Sequence, residues 1–440
     1  MHRSGSGREE RLTLMTAQLT PQNIALTVLL FFVLVTIHEW GHYYFAKRAG
    51  ILVREFAIGF GPKVFAFRRG ETKYTLRLLP FGGYVRMAGE DPETVHIQTG
   101  QTIAVESKDD VVTKIYLDRI DERMNAVRGE VKSIDMERLL RLRLDVDGDE
   151  ESYKIHPKAV TVARGQETQI APWDRQFGGK PVSKRALAIF AGPMMNVILA
   201  AALFVAFAFM NGIPTGVAVN KVNPGEPAEA AGIRAGDVIQ SIDGVAIGAD
   251  TSKIRQLVTA SADRPLEWVV LRGGKPVAVQ MTPIEAVDEA GNTQIRVGVE
   301  MTPITRPATL QEGLTNGLTT MWSATKTIFE GFKMLILGQF TLDDLGGPIR
   351  MAEMTMQLAN AGMLYYTWWA AMLSLYLAIF NLLPVPALDG SRLIFLGLEA
   401  IRGRPVDPNR ESLVHFIGFA MLMLLMVAVT YNDILRLFRG

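Results

Sequence analysis

Four stretches of the chain are apolar and almost free of charge. Ala186 to Met210 and Met363 to Leu388 contain no charged residue, and Leu413 to Thr430 holds only His415 as a titratable group. About 20 residues of helix cross roughly 30 Å of hydrocarbon, so each stretch predicts a spanning helix. The first stretch differs. Its clean run, Ile24 to Ile37, has 14 residues and reaches spanning length only by taking in His38, Glu39 and His42 on the way to Ala46. Arg3, Arg8 and Arg11 ahead of it would suit a signal peptide. However, no small-residue cleavage site follows Ile37, and the helical pattern runs on through Trp40, Tyr43, Tyr44 and Phe45. The pattern therefore predicts a polytopic α-helical membrane protein with four transmembrane helices, at 21–48, 186–212, 363–389 and 412–432.

The segments between the spans have patterns of their own. After a tail at 1–20 and the first span, 49–93 holds two short alternating runs, Val64 to Phe67 and Tyr74 to Leu78. The turn Arg68-Arg69-Gly70-Glu71 joins them into an expected β-hairpin lying at the membrane. Residues 94–185 mix charges with short β-like runs such as Val111 to Leu117 and show no chemistry. Residues 213–305 alternate in short strands broken by Gly and Pro. Within them Gly225 to Gly244 resembles the core of a PDZ domain, a β-rich α+β fold that captures extended segments by strand addition. In 306–362 an apolar stripe, Leu314, Leu318, Trp322, Phe329 and Ile336, marks an amphipathic helix. That stripe suits the outer membrane face and packing against the PDZ-like module equally. A loop at 390–411 and a tail at 433–440 complete the chain.

Charge sets an expected orientation. Nine Lys and Arg against three acids lie between Ala46 and Glu90, and Arg392, Arg402, Arg404 and Arg410 cluster in the last loop. The positive-inside rule places both on the cytoplasmic face and 213–362 outside. The 440 residues carry 46 Lys and Arg against 45 Asp and Glu, and 48% are hydrophobic; the mean hydropathy is +0.16. A balance so near neutral lacks the basic footprint of nucleic-acid binding. With no cysteine, disulfides, thiolate metal sites and cysteine nucleophiles are excluded, so a metal must be held by nitrogen and oxygen.

His38-Glu39-Trp40-Gly41-His42 has the H-E-x-x-H spacing. On a helix, positions i and i+4 share a face, so both imidazoles can meet one ion with Glu39 beside it. Two imidazoles and a carboxylate in a spanning helix each cost a few kcal/mol unless paired or hydrated, and coordination accounts for them. A catalytic zinc takes three protein ligands and leaves one position open; here the third must be His, Asp or Glu. His415 reads as a hydrogen-bonded helix residue. Asp389 ends the third span in Asn381-Leu-Leu-Pro-Val-Pro-Ala-Leu-Asp-Gly390. Alone that segment reads equally as a proline-terminated helix with an Asp-Gly turn. Antiparallel spans would nevertheless put its carboxylate at the depth of the His pair, with Pro384 and Pro386 opening the helix to turn it inward.

Together the H-E-x-x-H, the N-x-x-P-x-P-x-L-D-G and the PDZ-like module resemble the site-2 protease family of intramembrane zinc metalloproteases (peptidase M50), in its bacterial type that regulates sigma-factor signalling. Glu55 to Pro62, Leu79 to Met87, Phe190 to Asn196 and Leu345 to Pro348 also look like family signatures, so the likeness covers nearly everything from Ile24 to Leu437. The resemblance implies one Zn2+ held by His38, His42 and Asp389, with Glu39 as general base. It further implies substrate contacts at Asn381, Pro384, Pro386, Gly82 and Gly83. The implied substrates are single-pass membrane proteins such as anti-sigma factors and remnant signal peptides, cut in the lipid bilayer of a bacterial plasma membrane. A rival from another class is a non-catalytic PDZ scaffold with a structural metal.

Overall fold

A computed structural model describes residues 20–90, 97–123, 126–262, 264–287, 293–339 and 346–439. The arginines of the N-terminal tail and Leu345 lie outside them. The chain divides into two compact units, 1–203 with 324–440 and 204–323.

In the first unit α1 (Pro21–Arg48) opens with Pro at its first position and Thr20 as cap, whose hydroxyl accepts from the Asn23 amide at 3.2 Å. It ends with Lys47 and Arg48 in its last turn, where cations suit the helix dipole. Two strands follow, β1 (Val53–Arg69) and β2 (Thr72–Met87), paired antiparallel. They are longer than the alternating runs suggest. The first half of β1 is flanked by β2 on both sides, with Phe56 opposite both Tyr74 and Val85 and Ile58 opposite both Leu76 and Gly83. Glu71, at the turn, ties this sheet to α1. Its carboxylate pairs with Lys47 and takes two bonds of 2.8 Å from Arg175. Burial pushes the Glu71 carboxyl up, but these two cations outweigh it and hold the group below the usual range.

The charged stretch after this sheet is a β domain that its sequence pattern hid. Strands β3 (Thr102–Lys108), β4 (Val111–Tyr116), β5 (Val127–Asp135), β6 (Arg141–Val146), β7 (Asp149–Ala163) and β8 (Gln166–Gln169) run in the order β4-β3-β5-β6-β7-β8, and β4 also pairs with β7 in parallel. That pairing closes five strands into a ring around Ile103, Val105, Ile115, Val131, Leu142 and Leu144. Ring closure satisfies the backbone edges that an open sheet would leave free.

Helix α2 (Val182–Asn211) leads to the second unit, where β9 (Ile213–Val222), α3 (Pro227–Ala230), β10 (Val238–Ile242), β11 (Val245–Ala246), α4 (Thr251–Thr259), β12 (Leu266–Arg272) and β13 (Lys275–Met281) follow. After β14 (Ile284–Val287) and β15 (Thr293–Arg296), a separate pair, β16 (Val299–Arg306) completes the sheet in the order β13-β12-β10-β9-β16. Trp268, Ile239, Ile242 and Val217 fill its core. Asp237, buried ahead of β10, receives Nε of Arg272 at 2.8 Å and Nη2 at 2.7 Å.

Helix α5 (Leu310–Ile336) precedes the last part of the first unit, α6 (Pro348–Ala361), α7 (Met363–Asn381), α8 (Asp389–Arg402) and α9 (Pro408–Arg439). Asp433 of α9 accepts from the Arg350 amide at 3.2 Å at the start of α6, and a Cβ on Gly347 would come within 2.5 Å of that carboxylate. The third apolar stretch is not one helix to residue 389. α7 stops at Asn381, seven residues short of Leu388, and Asp389, expected to end the third span, is the first residue of a separate helix that runs through the first part of the expected 390–411 loop. Pro384 and Pro386 supply no amide donor and clash with the preceding turn, so the chain leaves the helix before them. Among the described residues four helices, Pro21–Arg48, Val182–Asn211, Met363–Asn381 and Asn409–Arg436, are long and apolar enough to cross a membrane.

Candidate active site

His38 and His42 lie one turn apart on α1 and are buried, as is Glu39 between them. The break after α7 brings Asp389 to the same point. Its Oδ2 stands 3.2 Å from Nε2 of His38 and 3.4 Å from Nε2 of His42, and the two Nε2 atoms are 3.3 Å apart. Donors at 2.0–2.1 Å from a common tetrahedral centre are about 3.3 Å from one another. The triangle therefore has the dimensions of a zinc donor set, and its two-nitrogen, one-oxygen composition is that of a catalytic site with a coordination position left for solvent. A cavity of about 1200 Å³ opens onto all three side chains and Glu39.

The tautomer of His42 follows from its partner. Nδ1 lies 2.9 Å from the carbonyl oxygen of Ala188 on α2. A carbonyl only accepts, so Nδ1 carries the proton and the Nε2 lone pair is left to face the centre, the usual arrangement of a metal-binding imidazole. Small residues let the helices come this close. A Cβ on Gly192 would sit 2.2 Å from Nε2 of His42, and one on Gly41 would sit 2.3 Å from the Ala191 carbonyl oxygen. The Gly192 contact was not evident in the sequence, where this glycine is one small residue in a charge-free run.

The remaining candidates fall into two groups. Gly83 and Asn381 line the cavity; Gly82, Pro384 and Pro386 do not. Gly83 sits directly on α1, where a Cβ would lie 2.8 Å from Cγ of Glu39 and 2.7 Å from the Ala57 carbonyl oxygen. Gly82 has φ +75° with the Phe60 ring packed against it. The Asn381 amide donates to the Leu377 carbonyl at 2.9 Å, one turn back on its own helix. Pro386 packs against Gly418 of α9. A buried ion pair fixes α8 farther along: Arg185 of α2 donates to both oxygens of Glu399, at 2.9 and 2.5 Å.

The model of peptidase family M50 matches residues 26–425. The chain belongs to that family, the site-2 proteases. It is 42% identical to the zinc metalloprotease RasP of Oceanobacillus iheyensis over 418 residues, covering 93% of this chain and 98% of that one. It is also 42% identical to the regulator of sigma-W protease RasP of Bacillus subtilis, over 93% of this chain and 98% of the relative. The PDZ domain of an SdrC-like protein from Listeria monocytogenes covers 20% of this chain and 88% of its own, at 24% identity and a TM-score of 0.18, too slight a superposition to bear on the fold. Within the family the chain is of the RseP/RasP type and is a zinc-dependent protease. The scaffold reading is set aside with that assignment.

Proposed function

We propose that His38, His42 and Asp389 hold a single zinc ion and that Glu39 is the general base of an endopeptidase cutting single-pass membrane proteins within or beside their transmembrane helix. The observation that carries this is the donor triangle of 3.2–3.4 Å at the end of an open cavity, beside a buried carboxylate. Bound there, zinc supplies Lewis acidity that polarises a scissile carbonyl and lowers the pKa of a water molecule from about 16 to about 7. The chain's own groups do the rest. Ala188 fixes the His42 ring, and Glu39, held against Gly83, takes a proton from the attacking water on a carboxylate oxygen and delivers it to the leaving amine.

A substrate helix hides its peptide bonds in its own hydrogen bonds and must be unwound before attack. Asn381 and Gly83 at the cavity, with Gly82, Pro384 and Pro386 next to them, are the proposed contacts for the extended strand. The basic loops support a site towards the cytoplasmic face of a bacterial plasma membrane and a PDZ-like module on the outer side, where it would refuse untrimmed substrates. The sigma-W relative supports anti-sigma factors as substrates; remnant signal peptides are proposed beside them on the family resemblance alone.

Glu39→Gln is expected to lower cleavage of a model transmembrane substrate at least about 100-fold, within the range of general-base contributions, while metal analysis shows zinc retained. His38→Ala and Asp389→Ala are expected to lose both. Full cleavage by Glu39→Gln would remove that residue from the mechanism, and full zinc content in Asp389→Ala would remove the aspartate from the ligand set.

A further inference from the structure

Between Asn381 and Asp389 the chain makes a turn in which the Val385 amide donates to the Leu383 carbonyl at 2.8 Å and the Leu388 amide to the Val385 carbonyl at 3.1 Å, while the Ala387 amide finds its partner outside the turn. Ala387 has φ +77°, a conformation that L-residues other than glycine adopt only under restraint. Its amide points to α9 and donates to Nδ1 of His415 at 3.1 Å. A backbone N–H can only donate, so Nδ1 of His415 presents a lone pair and Nε2 carries the proton. Glu411, one turn earlier, lies with Oε1 3.8 Å from Nε2, too far for a hydrogen bond but of the sign that favours this tautomer. The ring also meets Phe395 of α8 edge to face, with centroids 5.7 Å apart.

A second contact brings α9 against the same turn. Gly418 lies so close to Pro386 that a Cβ there would approach the proline Cβ to 2.2 Å and its carbonyl oxygen to 2.7 Å. His415 and Gly418 are three apart and so share a helix face. That face holds the two residues immediately preceding Leu388 and Asp389. The Arg185–Glu399 pair fixes α8 farther along, and its first turn is held by the Arg392–Glu90 pair and by Gly390 against the Leu382 and Leu383 carbonyls; α9 adds the contacts to the two residues ahead of Leu388 and Asp389.

We infer that His415 is a positioning residue for the metal centre: by accepting the Ala387 amide it holds the strained turn from which Asp389 reaches the His38–His42 pair. The inference rests on the proposed ligand set. Groups that orient a ligand from behind typically change metal affinity or activity 10- to 100-fold when lost.

The test uses the full-length protein in detergent, with Co2+ as a visible-absorption probe of affinity and cleavage of a transmembrane substrate measured in parallel. His415→Phe keeps an aromatic ring against Phe395 and removes the acceptor; His415→Asn loses the ring and keeps an acceptor oxygen near the place of Nδ1. His415→Phe is expected to bind Co2+ about 10-fold more weakly and to lose activity in proportion. His415→Asn is expected to bind at wild-type strength. Wild-type affinity in His415→Phe, or equal weakness in both variants, would overturn the inference, the latter by showing that the ring matters and the bond does not. Asp389→Ala separates the two levels. If it binds Co2+ as the wild type does, the ligand reading fails; if it alone is weak, only the positioning role fails.

Discussion

At the scale of single residues the site depends on side chains that are missing as much as on those present. His38 and His42 can be placed on one helix face by their spacing alone, and Asp389 stands out as the first charge after a long apolar stretch. Gly83 and Gly192 fall in segments that look like family signatures, but nothing in the sequence shows that they leave room for Glu39 and His42, because those helix and sheet contacts are distant in sequence. Gly192→Ala puts a methyl carbon 2.2 Å from Nε2 of His42 unless α2 retreats. A displacement of about 1 Å in a catalytic group costs about 100-fold. The expected outcome is a kcat/KM lowered by about that factor with zinc content reduced; an unchanged kcat/KM would show that α2 yields without disturbing the ring.

At the scale of elements, apolar length located the spans but not their ends. Met363 to Leu388 is uninterrupted as a hydropathy pattern, yet backbone chemistry ends the helix at Asn381. That early stop frees the segment that turns Asp389 inward. The closed ring of β3 to β8 was illegible for a different reason. In β6 buried leucines, Leu142 and Leu144, alternate with exposed arginines, a pattern shared by any half-buried strand, and the parallel β4–β7 pairing that closes the ring joins segments dozens of residues apart.

An acid-sensitive element lies in the second unit. Hydrogen bonds from Arg272 hold the Asp237 carboxyl below the usual carboxylate range, against the opposing effect of its burial. A depressed folded pKa means stability that is fully present above the unfolded value of about 3.9 and lost as pH falls through the folded one. Protection factors of the β10 and β12 amides, taken relative to intrinsic exchange at each pH, are therefore expected to fall below about pH 4. Asp237→Asn is expected to exchange faster at neutral pH and to show little of this acid dependence. An unaltered acid dependence in the variant would place its origin elsewhere.

For the whole molecule, the proposed centre joins three helices, α1, α8 and, through the Ala188 carbonyl, α2. A ligand bound only by the folded state stabilises it by about 4 kcal/mol when present at 1,000 times its Kd. Stripping the metal with a chelator is thus expected to lower the thermal midpoint of the wild type and to leave His38→Ala unmoved. A wild-type midpoint indifferent to chelation would mean that the ion does not brace these helices. The family, the H-E-x-x-H helix and the proposed third donor were all accessible from the chain itself. The supporting contacts from α2 and α9 were not, since only the folded arrangement brings them to the site.

Asp389 follows His38 by 351 residues. At 5–20 residues per second a ribosome needs about 20 to 70 s to travel from one to the other. Throughout that interval the nascent polypeptide has the glutamate and two of the proposed donors but not the third, nor the helix that braces it. On the proposed ligand set, the centre therefore stays incomplete until synthesis is nearly finished.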